Sequence, residues 1–429
     1  MAKQIRVAIV GAGPAGIYAG NILANQYPDV EIDLFDTLPA PYGLIRYGVA
    51  PDHPRIKGIV NSLHEMLNDG KIRFYGNVTF GTDLTIDDIK AHYHAVIFAT
   101  GAIKDAALNI PGVELDGSYG AADFVAWYDG HPDYPRTWPL HAKQVAVLDN
   151  GNVALDVARM LAKHADDLLS TDIPDNVYQG LKHSPVTDVH VFGRRGPANI
   201  KFTPIELREL GEVEDVDIVL YDEDFEDGWF DEEAEGVTNQ HKVMARILES
   251  WRDRELTGAS RRLHLHFYAT PVEILGDDKV IGIRFERTGT GKHFEQNVQA
   301  VYRAIGYYGS ALPQLPFDTK LGVISNDGGR VSHGIYATGW IKRGPVGLIG
   351  HTKSDATETI ENLVADIPNL SEPTSQHSVL ALLEERGVKY TDWAGWLKLD
   401  AHEREIGEAN QRERIKIVDR DEQVRISRG

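Results

Sequence analysis

The feature that most constrains the fold of this chain is a glycine-rich turn placed almost at its first residue. Residues 11–16 read Gly-Ala-Gly-Pro-Ala-Gly and directly follow the apolar run 5–10. In such a turn Gly11 permits the sharp exit from a strand, Gly13 lets the backbone approach a pyrophosphate, and Gly16 allows close packing of the next helix. Because the first amides of that helix face the anion, the pattern predicts a dinucleotide-binding fold.

A second apolar run, residues 30–35, ends at Asp36. A carboxylate at this position suits the vicinal hydroxyls of an adenosine ribose and repels a phosphate attached to them. Glycine-rich loops also serve as ordinary turns between a strand and a helix. Here the strand, loop, helix and acid follow one another in the expected order, which favours the nucleotide site.

A second unit of the same design starts near residue 144. The apolar run 144–148 leads into 149–154, which reads Asp-Asn-Gly-Asn-Val-Ala, and then into a segment with the period of an amphipathic helix. The next apolar run, 188–192, ends in a glycine followed by Arg194 and Arg195. Arginine pairs at strand ends often lie in solvent, but after a strand, turn and helix two guanidinium groups match a ribose 2′-phosphate, which favours NADP(H) here.

Two nucleotide units with unlike ribose signals imply two different dinucleotides, which we expect to be FAD and NADPH. The short runs 95–101 and 334–339 both end in Thr-Gly, and we expect them to pass close to a cofactor. After the second of these comes the glycine-rich segment 340–350 and a helix predicted over about 354–364. Its amides and positive helix end would face the edge of a flavin where reduction develops negative charge.

Composition excludes several other classes of protein. A chain of 429 residues exceeds a single core, so two domains are expected. The absence of cysteine excludes a disulfide, a thiol redox pair and a cysteine-bound iron–sulfur cluster, so any such centre must belong to a partner. No apolar segment is long enough to span a bilayer, and a strand begins within five residues, so we expect no targeting peptide and a cytoplasmic protein.

The net charge of −20 argues against nucleic acid as a partner. Residues 211–236 hold thirteen acidic and no basic residues, which is typical of a solvated loop and leaves a basic docking surface possible elsewhere. His264 and His266 alternate along a strand predicted over 263–268, so we expect them on one face of a sheet and no metal site.

Taken together, these segments resemble the adrenodoxin reductase-type NADPH:ferredoxin oxidoreductases, bacterial members above all, over nearly the whole chain. The resemblance rests on 11–16, 41–54, 150–159, 193–197, 202–210 and 340–350. It implies an α/β fold with two Rossmann-like dinucleotide-binding domains, the NADP domain inserted into the FAD domain between two hinge strands. The implied boundaries are 1–104 and 308–429 for FAD, with a C-terminal helical extension, and 105–307 for NADP(H).

The resemblance also implies site residues. Besides Gly11, Gly13 and Gly16, those expected to contact FAD are Ala15, Asp36, Leu44, Val78, Trp340, Gly347, Leu348 and Ile349. Those expected to contact NADP(H) are Gly151, Asn152, Val153, Ala154, Leu155, Arg194, Arg195, Glu206 and again Gly347. His53 and Glu209 match the polar pair beside the reacting rings, where they could relay the proton that accompanies flavin reduction. Without the family match, His53 is better read as a loop residue between an aspartate and a proline.

Two positions depart from the family pattern, and both lie on the NADPH side. Asp149 stands where the second fingerprint usually opens with glycine, and Ala106 stands where arginine is usual. A carboxylate aimed at the pyrophosphate from about 5 Å would weaken binding roughly a hundredfold, whereas one turned to solvent would have little effect.

The expected activity is an FAD-dependent transfer of electrons from NADPH, one at a time, to a ferredoxin-type iron–sulfur protein or a flavodoxin. Because ferredoxins are generally acidic, a basic rim is expected near the flavin, with Arg46, Arg55, Lys57, Lys342 and Arg343 as candidates. The protein is expected to be a monomer or homodimer. The alternatives are an NAD(P)H diaphorase or quinone reductase, and a non-catalytic nucleotide-binding electron-transfer subunit.

Overall fold

The computed structural model describes residues 3–200, 202–226, 228–346 and 349–429. Its strands are β1 (Ile5–Val10), β2 (Val30–Phe35), β3 (Ile72–Gly76), β4 (Ala95–Phe98), β5 (Lys104–Asp105), β6 (Ser118–Gly120), β7 (Gln144–Leu148), β8 (Asp188–Phe192), β9 (Val216–Val219), β10 (Arg261–His266), β11 (Ala269–Leu275), β12 (Gly282–Arg287), β13 (Lys292–Gln296), β14 (Ala300–Arg303), β15 (Tyr307–Tyr308), β16 (Phe317–Asp318), β17 (Val323–Ile324), β18 (Arg330–Ser332), β19 (Ile335–Ala337) and β20 (Thr391–Asp392).

The helices are α1 (Pro14–Gln26), α2 (Leu44–Tyr47), α3 (Pro54–Lys57), α4 (Ile59–Asn68), α5 (Ile86–His92), α6 (Ala121–Tyr128), α7 (Asn152–Ala162), α8 (Asp175–Lys182), α9 (Pro204–Gly211), α10 (Asn239–Arg252), α11 (Trp340–Arg343), α12 (Ile349–Asp366), α13 (Val379–Glu385), α14 (Trp393–Ala409) and α15 (Arg420–Arg428).

The first sheet has the strand order β18-β19-β4-β1-β2-β3-β20 and takes strands from both ends of the chain. Its central strands run parallel, while β18 and β20 pair antiparallel at the two edges. The central strand β1 is apolar apart from Arg6 and buried along nearly its whole length, as expected for a parallel strand covered on both faces.

The second sheet has the order β6-β14-β7-β8-β10-β9, is parallel throughout and takes its strands from the middle of the chain. One face packs on the antiparallel sheet β11-β12-β13, with Leu148, Phe192 and Phe285 in the shared core. The chain passes from one large sheet to the other at β5 and returns at β15, and these two strands pair antiparallel. The predicted fold class, with a second Rossmann-like unit inserted into the first, is confirmed; the residue boundaries stay a prediction.

Two sequence-based bounds are wrong in detail. The helix predicted over 354–364 is α12, which begins at Ile349 because Gly350 lies within the helix and does not interrupt it. The strand predicted over 263–268 is β10, which ends at His266. It ends there because the Phe267 amide donates to the Asp224 carboxylate and Tyr268 takes a positive φ of 53°. Within the described ranges, no helix is both long and apolar enough to cross a membrane.

Candidate functional site

The first glycine turn lies at the carboxyl end of β1 and has the backbone that the sequence predicts. Gly11 has a φ of +110°, and its amide donates to the Phe35 carbonyl at the end of β2 over 2.7 Å. A Cβ on Gly11 would overlap the Ala99 carbonyl, and one on Gly16 would overlap the Gly11 carbonyl. Glycine is therefore required at both positions for α1 to approach the sheet this closely.

Gly13 opens α1, and the helix start carries no side-chain cap. Among the described residues that are not its chain neighbours, a Cβ built on Gly13 would have a single atom within 4 Å, the Cα of Gly43 at 3.8 Å. The first amides of α1 are therefore free of a side-chain cap, and there is open space next to Gly13. Such a helix start forms a cradle that suits a dinucleotide pyrophosphate. The residues present therefore fit the dinucleotide that the sequence predicts for this unit.

The Asp36 carboxylate lies against this turn. One of its oxygens accepts from the Ala12 amide over 2.7 Å and the other from the Leu38 amide over 2.8 Å. Burial raises the pKa of Asp36 to about 6. A carboxylate has about four lone-pair sites, so capacity remains here for the two ribose hydroxyls.

Other residues predicted to contact FAD gather around the same sheet edge. Gly339 follows β19 with a φ of +75°, and a Cβ on it would lie 2.6 Å from the Cβ of Ala15 in α1. Leu44 opens α2, Trp340 opens α11, and both are half-buried. Val78 is buried, and its amide donates to the Asp36 carbonyl over 2.9 Å.

Part of the predicted set cannot be placed. Gly347 and Leu348 lie outside the described residues, and so does the side chain of Ile349 at the start of α12.

The second turn repeats the first with one difference. The Asp149 amide donates to the Phe192 carbonyl over 2.9 Å, as Gly11 does to Phe35, and Gly151 opens α7 as Gly13 opens α1. Asp149 has a φ of +88°, the left-handed conformation that Gly11 takes in the first turn. Its Oδ2 lies 3.3 Å from a Cβ built on Gly151, so the carboxylate is beside the cradle and not turned away from it.

The guanidinium groups of Arg194 and Arg195 are exposed, and within the described residues neither forms a hydrogen bond or an ion pair. They follow β8, where the ribose end of a nucleotide on α7 is expected. These two groups suit the 2′-phosphate of NADP(H), so the residues fit this dinucleotide except for the carboxylate of Asp149.

The remaining predicted NADP(H) residues divide into backbone and side-chain contributors. Asn152 and Val153 form the first turn of α7, whereas Ala154 and Leu155 are fully buried, so their side chains cannot reach a ligand. Glu206 is also buried, and its carboxylate accepts from the amide and hydroxyl of Thr203 over 2.7 Å. This capping box fixes the start of α9.

His53 and Glu209 are brought together, as predicted. His53 precedes α3 in the first unit and is 4% exposed, and its Nδ1 lies 3.1 Å from the Glu209 carboxylate on α9 of the second unit. Its Nε2 lies 2.8 Å from Asp156 on α7. Burial lowers the pKa of His53, but the hydrogen bond and charge of Asp156 outweigh burial and raise it overall. Burial also raises the pKa of Glu209.

A second ionic contact joins the same two units beside His53. Arg159 on α7 is buried and donates to both oxygens of Asp52 over 2.8 and 2.9 Å, and Lys163 reaches Asp52 over 3.1 Å. Burial opposes ionisation of Asp52, but the hydrogen bonds and charge of Arg159 hold its pKa well below the usual range.

Sequence reasoning assigned no role to Asp52, Asp156 or Arg159. A signal was present, since Asp156, Arg159 and Lys163 recur at helical spacing in an otherwise apolar stretch.

Three of the five basic residues expected on a docking rim are internal. Arg46 pairs with Glu403, Lys57 with Asp172, and Lys342 with Asp355 and Glu358, and all three are buried or nearly so. Their assignment to a rim is wrong because each neutralises a carboxylate brought in from another part of the fold.

The remaining two candidates for the rim differ in exposure. Arg343 is half-buried near Asp355, whereas Arg55 is exposed, two residues after His53. Arg208 is also exposed, directly before Glu209, and sequence reasoning missed it. Within the described residues, neither Arg55 nor Arg208 forms an ion pair.

Comparison with known proteins identifies relatives over the full chain. Residues 5–195 match the family described as pyridine nucleotide-disulphide oxidoreductases. NADPH-ferredoxin reductase FprA of Mycobacterium tuberculosis is 39% identical, with 99% of each chain covered. Mitochondrial NADPH:adrenodoxin oxidoreductase of Arabidopsis thaliana is 35% identical, over 97% of this chain and 94% of that protein. The structure of M. tuberculosis FprA in complex with NADPH covers 100% of both chains with a TM-score of 0.94 and 38% identity.

Proposed function

The chain belongs to the family of NADPH-ferredoxin and NADPH:adrenodoxin reductases, and we propose on this premise that it passes electrons from NADPH through bound FAD to a ferredoxin-type iron–sulfur protein. One observation carries the proposal: two dinucleotide cradles with opposite ribose chemistry, Asp36 in one and Arg194 with Arg195 in the other, belong to units joined through His53 and Glu209. The absence of cysteine excludes the dithiol chemistry of disulfide reductases.

FAD, when bound, supplies the step from a two-electron hydride donor to a one-electron acceptor. The protein's part is to bind and orient. The amides that follow Gly13 hold one pyrophosphate, Asp36 accepts from the ribose, and the two arginines hold the 2′-phosphate of NADPH. We assign residues 1–104 and 308–429 to FAD and 105–307 to NADP(H), which agrees with the membership of the two large sheets.

His53 is proposed to hold a proton beside the reacting rings. Asp156 on Nε2 favours the charged imidazole, and Glu209 on Nδ1 is 35% exposed, so it can exchange protons with solvent. The pair thereby provides a route for a proton between the reacting rings and water while Asp156 keeps the imidazole ring oriented.

The decisive experiment is anaerobic titration of the yellow purified protein with NADPH and with NADH. We expect bleaching of the flavin absorbance at a far lower concentration of NADPH. Replacing both arginines, Arg194→Ala with Arg195→Ala, should weaken NADPH binding about 10- to 100-fold and leave NADH unaffected. A colourless protein that does not take up FAD would contradict the proposal, and so would equal use of both coenzymes by the unmodified protein.

The acceptor is tested separately. Cytochrome c reduction that depends on added ferredoxin supports the proposal, whereas turnover of quinones or dyes alone favours a diaphorase. An oxidised flavin that NADPH does not bleach favours a non-catalytic subunit. Whether a flavodoxin also accepts electrons is decided in the same assay, and the proposed cytoplasmic location by fractionation.

A further inference from the structure

Four charged side chains meet in the interior where the two units and the C-terminal segment come together. The Nζ of Lys57 lies 2.7 Å from Asp172 and 3.5 Å from Asp129, and the Nζ of Lys416 lies 3.2 Å from Asp172 and 3.4 Å from Asp129. The four side chains are 12%, 8%, 0% and 1% exposed for Lys57, Asp172, Asp129 and Lys416. We call this group the charged quartet.

The members of the quartet come from three parts of the chain. Lys57 ends α3, the short helix that starts directly after His53, and so belongs to the first unit. Asp129 follows α6 and Asp172 precedes α8, both in the second unit. Lys416 lies between α14 and α15 and also donates to the Arg46 carbonyl over 2.8 Å and the Asp129 carbonyl over 3.1 Å.

Two more cations of the same C-terminal segment reach the second unit. Arg412 donates to the Asp175 carboxylate over 2.5 Å and to the Ile173 carbonyl. Arg420 donates to Asp133 over 2.7 Å, and also over 2.7 Å to the Thr37 carbonyl, next to the ribose carboxylate of the first unit. We call residues 412–420 the C-terminal strap, since Arg412, Lys416 and Arg420 each contact the second unit.

Two ammonium and two carboxylate groups that are buried together add little net stability to a domain interface, because the cost of burying the charges offsets their attraction. Apolar side chains of the same volume often stabilise such a junction as well or better, whereas removing one member leaves an uncompensated charge. The ionic group instead fixes the relative position of the segments that carry it, because each ammonium must lie about 3 Å from several oxygens in different parts of the chain.

We infer that the charged quartet and the C-terminal strap form an interdomain lock that fixes how the two nucleotide units face each other. Through Lys57 the lock also fixes the segment that carries His53 between Asp156 and Glu209. Lys57, Asp129, Asp172 and Lys416 are thus positioning residues. The consequence for hydride transfer rests on the function proposed above, whereas the lock itself does not.

The test measures the distance between the units directly. Because the chain has no cysteine, Thr82→Cys in the first unit and Ser250→Cys in the second, both at exposed positions, supply two unique sites for spin labels. Pulsed electron paramagnetic resonance on the FAD-loaded parent should give one narrow distance distribution. Adding Lys416→Met should broaden or split that distribution, because it removes the only quartet member that the strap contributes.

Two further variants keep the result interpretable. Asp129→Asn with Lys416→Met leaves the balanced pair Lys57–Asp172, so we expect it to fold even where the single variant does not, and it too should broaden the distribution. Lys182→Met removes an exposed ion pair with Asp166 inside the second unit and should change nothing. Distributions as narrow as that of the parent in the single variant, or in the balanced variant where the single one does not fold, would overturn the lock.

A kinetic measurement connects the lock to the reaction. In stopped-flow reduction by NADPH, Lys416→Met should lower the rate of flavin bleaching about tenfold or more with unchanged FAD content, because small misplacements of reacting groups slow transfer strongly. Failure of the parent to bleach would count against the proposed function and leave the distance measurement standing. A broadened distribution with an unchanged bleaching rate would show that the lock does not serve hydride transfer.

Discussion

At the scale of single residues, Asp149 is the most informative departure from a glycine fingerprint. It takes the left-handed backbone of Gly11 and keeps its carboxylate beside Gly151. Asp149→Gly should lower the dissociation constant for NADPH about 10- to 100-fold, because it removes the negative charge beside the pyrophosphate cradle. Asp149→Asn removes only the charge, since it keeps a side chain of the same size and asparagine also adopts this backbone. Calorimetric measurement of NADPH binding to both variants separates the effect of the charge from that of the side chain's bulk, and an unchanged dissociation constant in both variants would refute the role of the carboxylate.

His53 gives a prediction with a defined pH window. Since Asp156 raises the pKa of His53 above its ordinary 6.5, the folded protein holds this proton more tightly than the unfolded chain does. The resulting stabilisation is complete below about pH 6.5 and is lost as the pH rises through the raised pKa. Asp156→Asn should therefore reduce the free energy of unfolding by about 1–2 kcal/mol more in mildly acidic than in alkaline solution.

Urea unfolding of the FAD-loaded protein on the two sides of this window measures the difference. Asp166→Asn, which removes the exposed pair with Lys182, is the control and should give the same loss on both sides. An Asp156→Asn loss that is equal in acid and alkali would mean that His53 carries no proton linked to Asp156.

Local spacing predicts some of these residues and misses others for a physical reason. Gly11, Asp36 and Arg194 are predictable because each follows a strand of its own nucleotide-binding unit, where neighbours in sequence are neighbours in space. The partner of Lys57 is Asp172, 115 residues away, and no local pattern reports that pairing. A basic residue therefore looks the same in the sequence whether it faces solvent or a buried carboxylate.

At the scale of elements, one close approach in the first unit joins the starts of α1 and α11. A Cβ on Gly339 would lie 2.6 Å from that of Ala15, and the φ of +75° disfavours any other residue. Gly339→Ala should push the two helix starts apart, reduce bound FAD and lower the unfolding free energy by about 1 kcal/mol or more. Adding Ala15→Gly should restore part of both, since it returns space but not backbone freedom.

The ratio of flavin to protein absorbance and the thermal midpoint of unfolding check this pair of variants. Full FAD content in Gly339→Ala alone would show that this contact does not shape the cradle.

The strands were predictable where a short apolar run is bounded by turn residues. The runs that become β1, β2, β7 and β8 are short, apolar and bounded by turns, and the structure has them where they are expected. α12 was predicted too short because Gly350 and polar neighbours resemble a loop, although the helix continues through them. Propensity is a weak prior, and packing of α12 on α1 overrides it here.

At the scale of the whole molecule, the acidic residues of 211–236, which contribute much of the net charge of −20, fall into a buried and an exposed group. Asp217 and Asp224 are buried, and they accept from backbone amides at Thr257 and Phe267. Most of the other described acids in this range are exposed. An acidic partner is therefore repelled by this region and must approach where exposed cations lie near the reacting groups.

Arg55 and Arg208 meet that requirement, because both are exposed, one two residues after His53 and the other directly before Glu209, which contacts His53. Reduction of an acidic ferredoxin at limiting concentration should fall as salt is added, since screening weakens attraction between exposed charges. Arg55→Ser with Arg208→Ser should lower the rate at low salt about 3- to 30-fold and flatten its dependence on salt. Lys71→Ser, at the amino end of β3 and thus at the opposite edge of the sheet from the cradle, should behave like the parent. A rate that is flat or rises with salt in the parent would mean that these arginines do not guide the partner and that contact area or the repulsion by the acidic region controls the encounter.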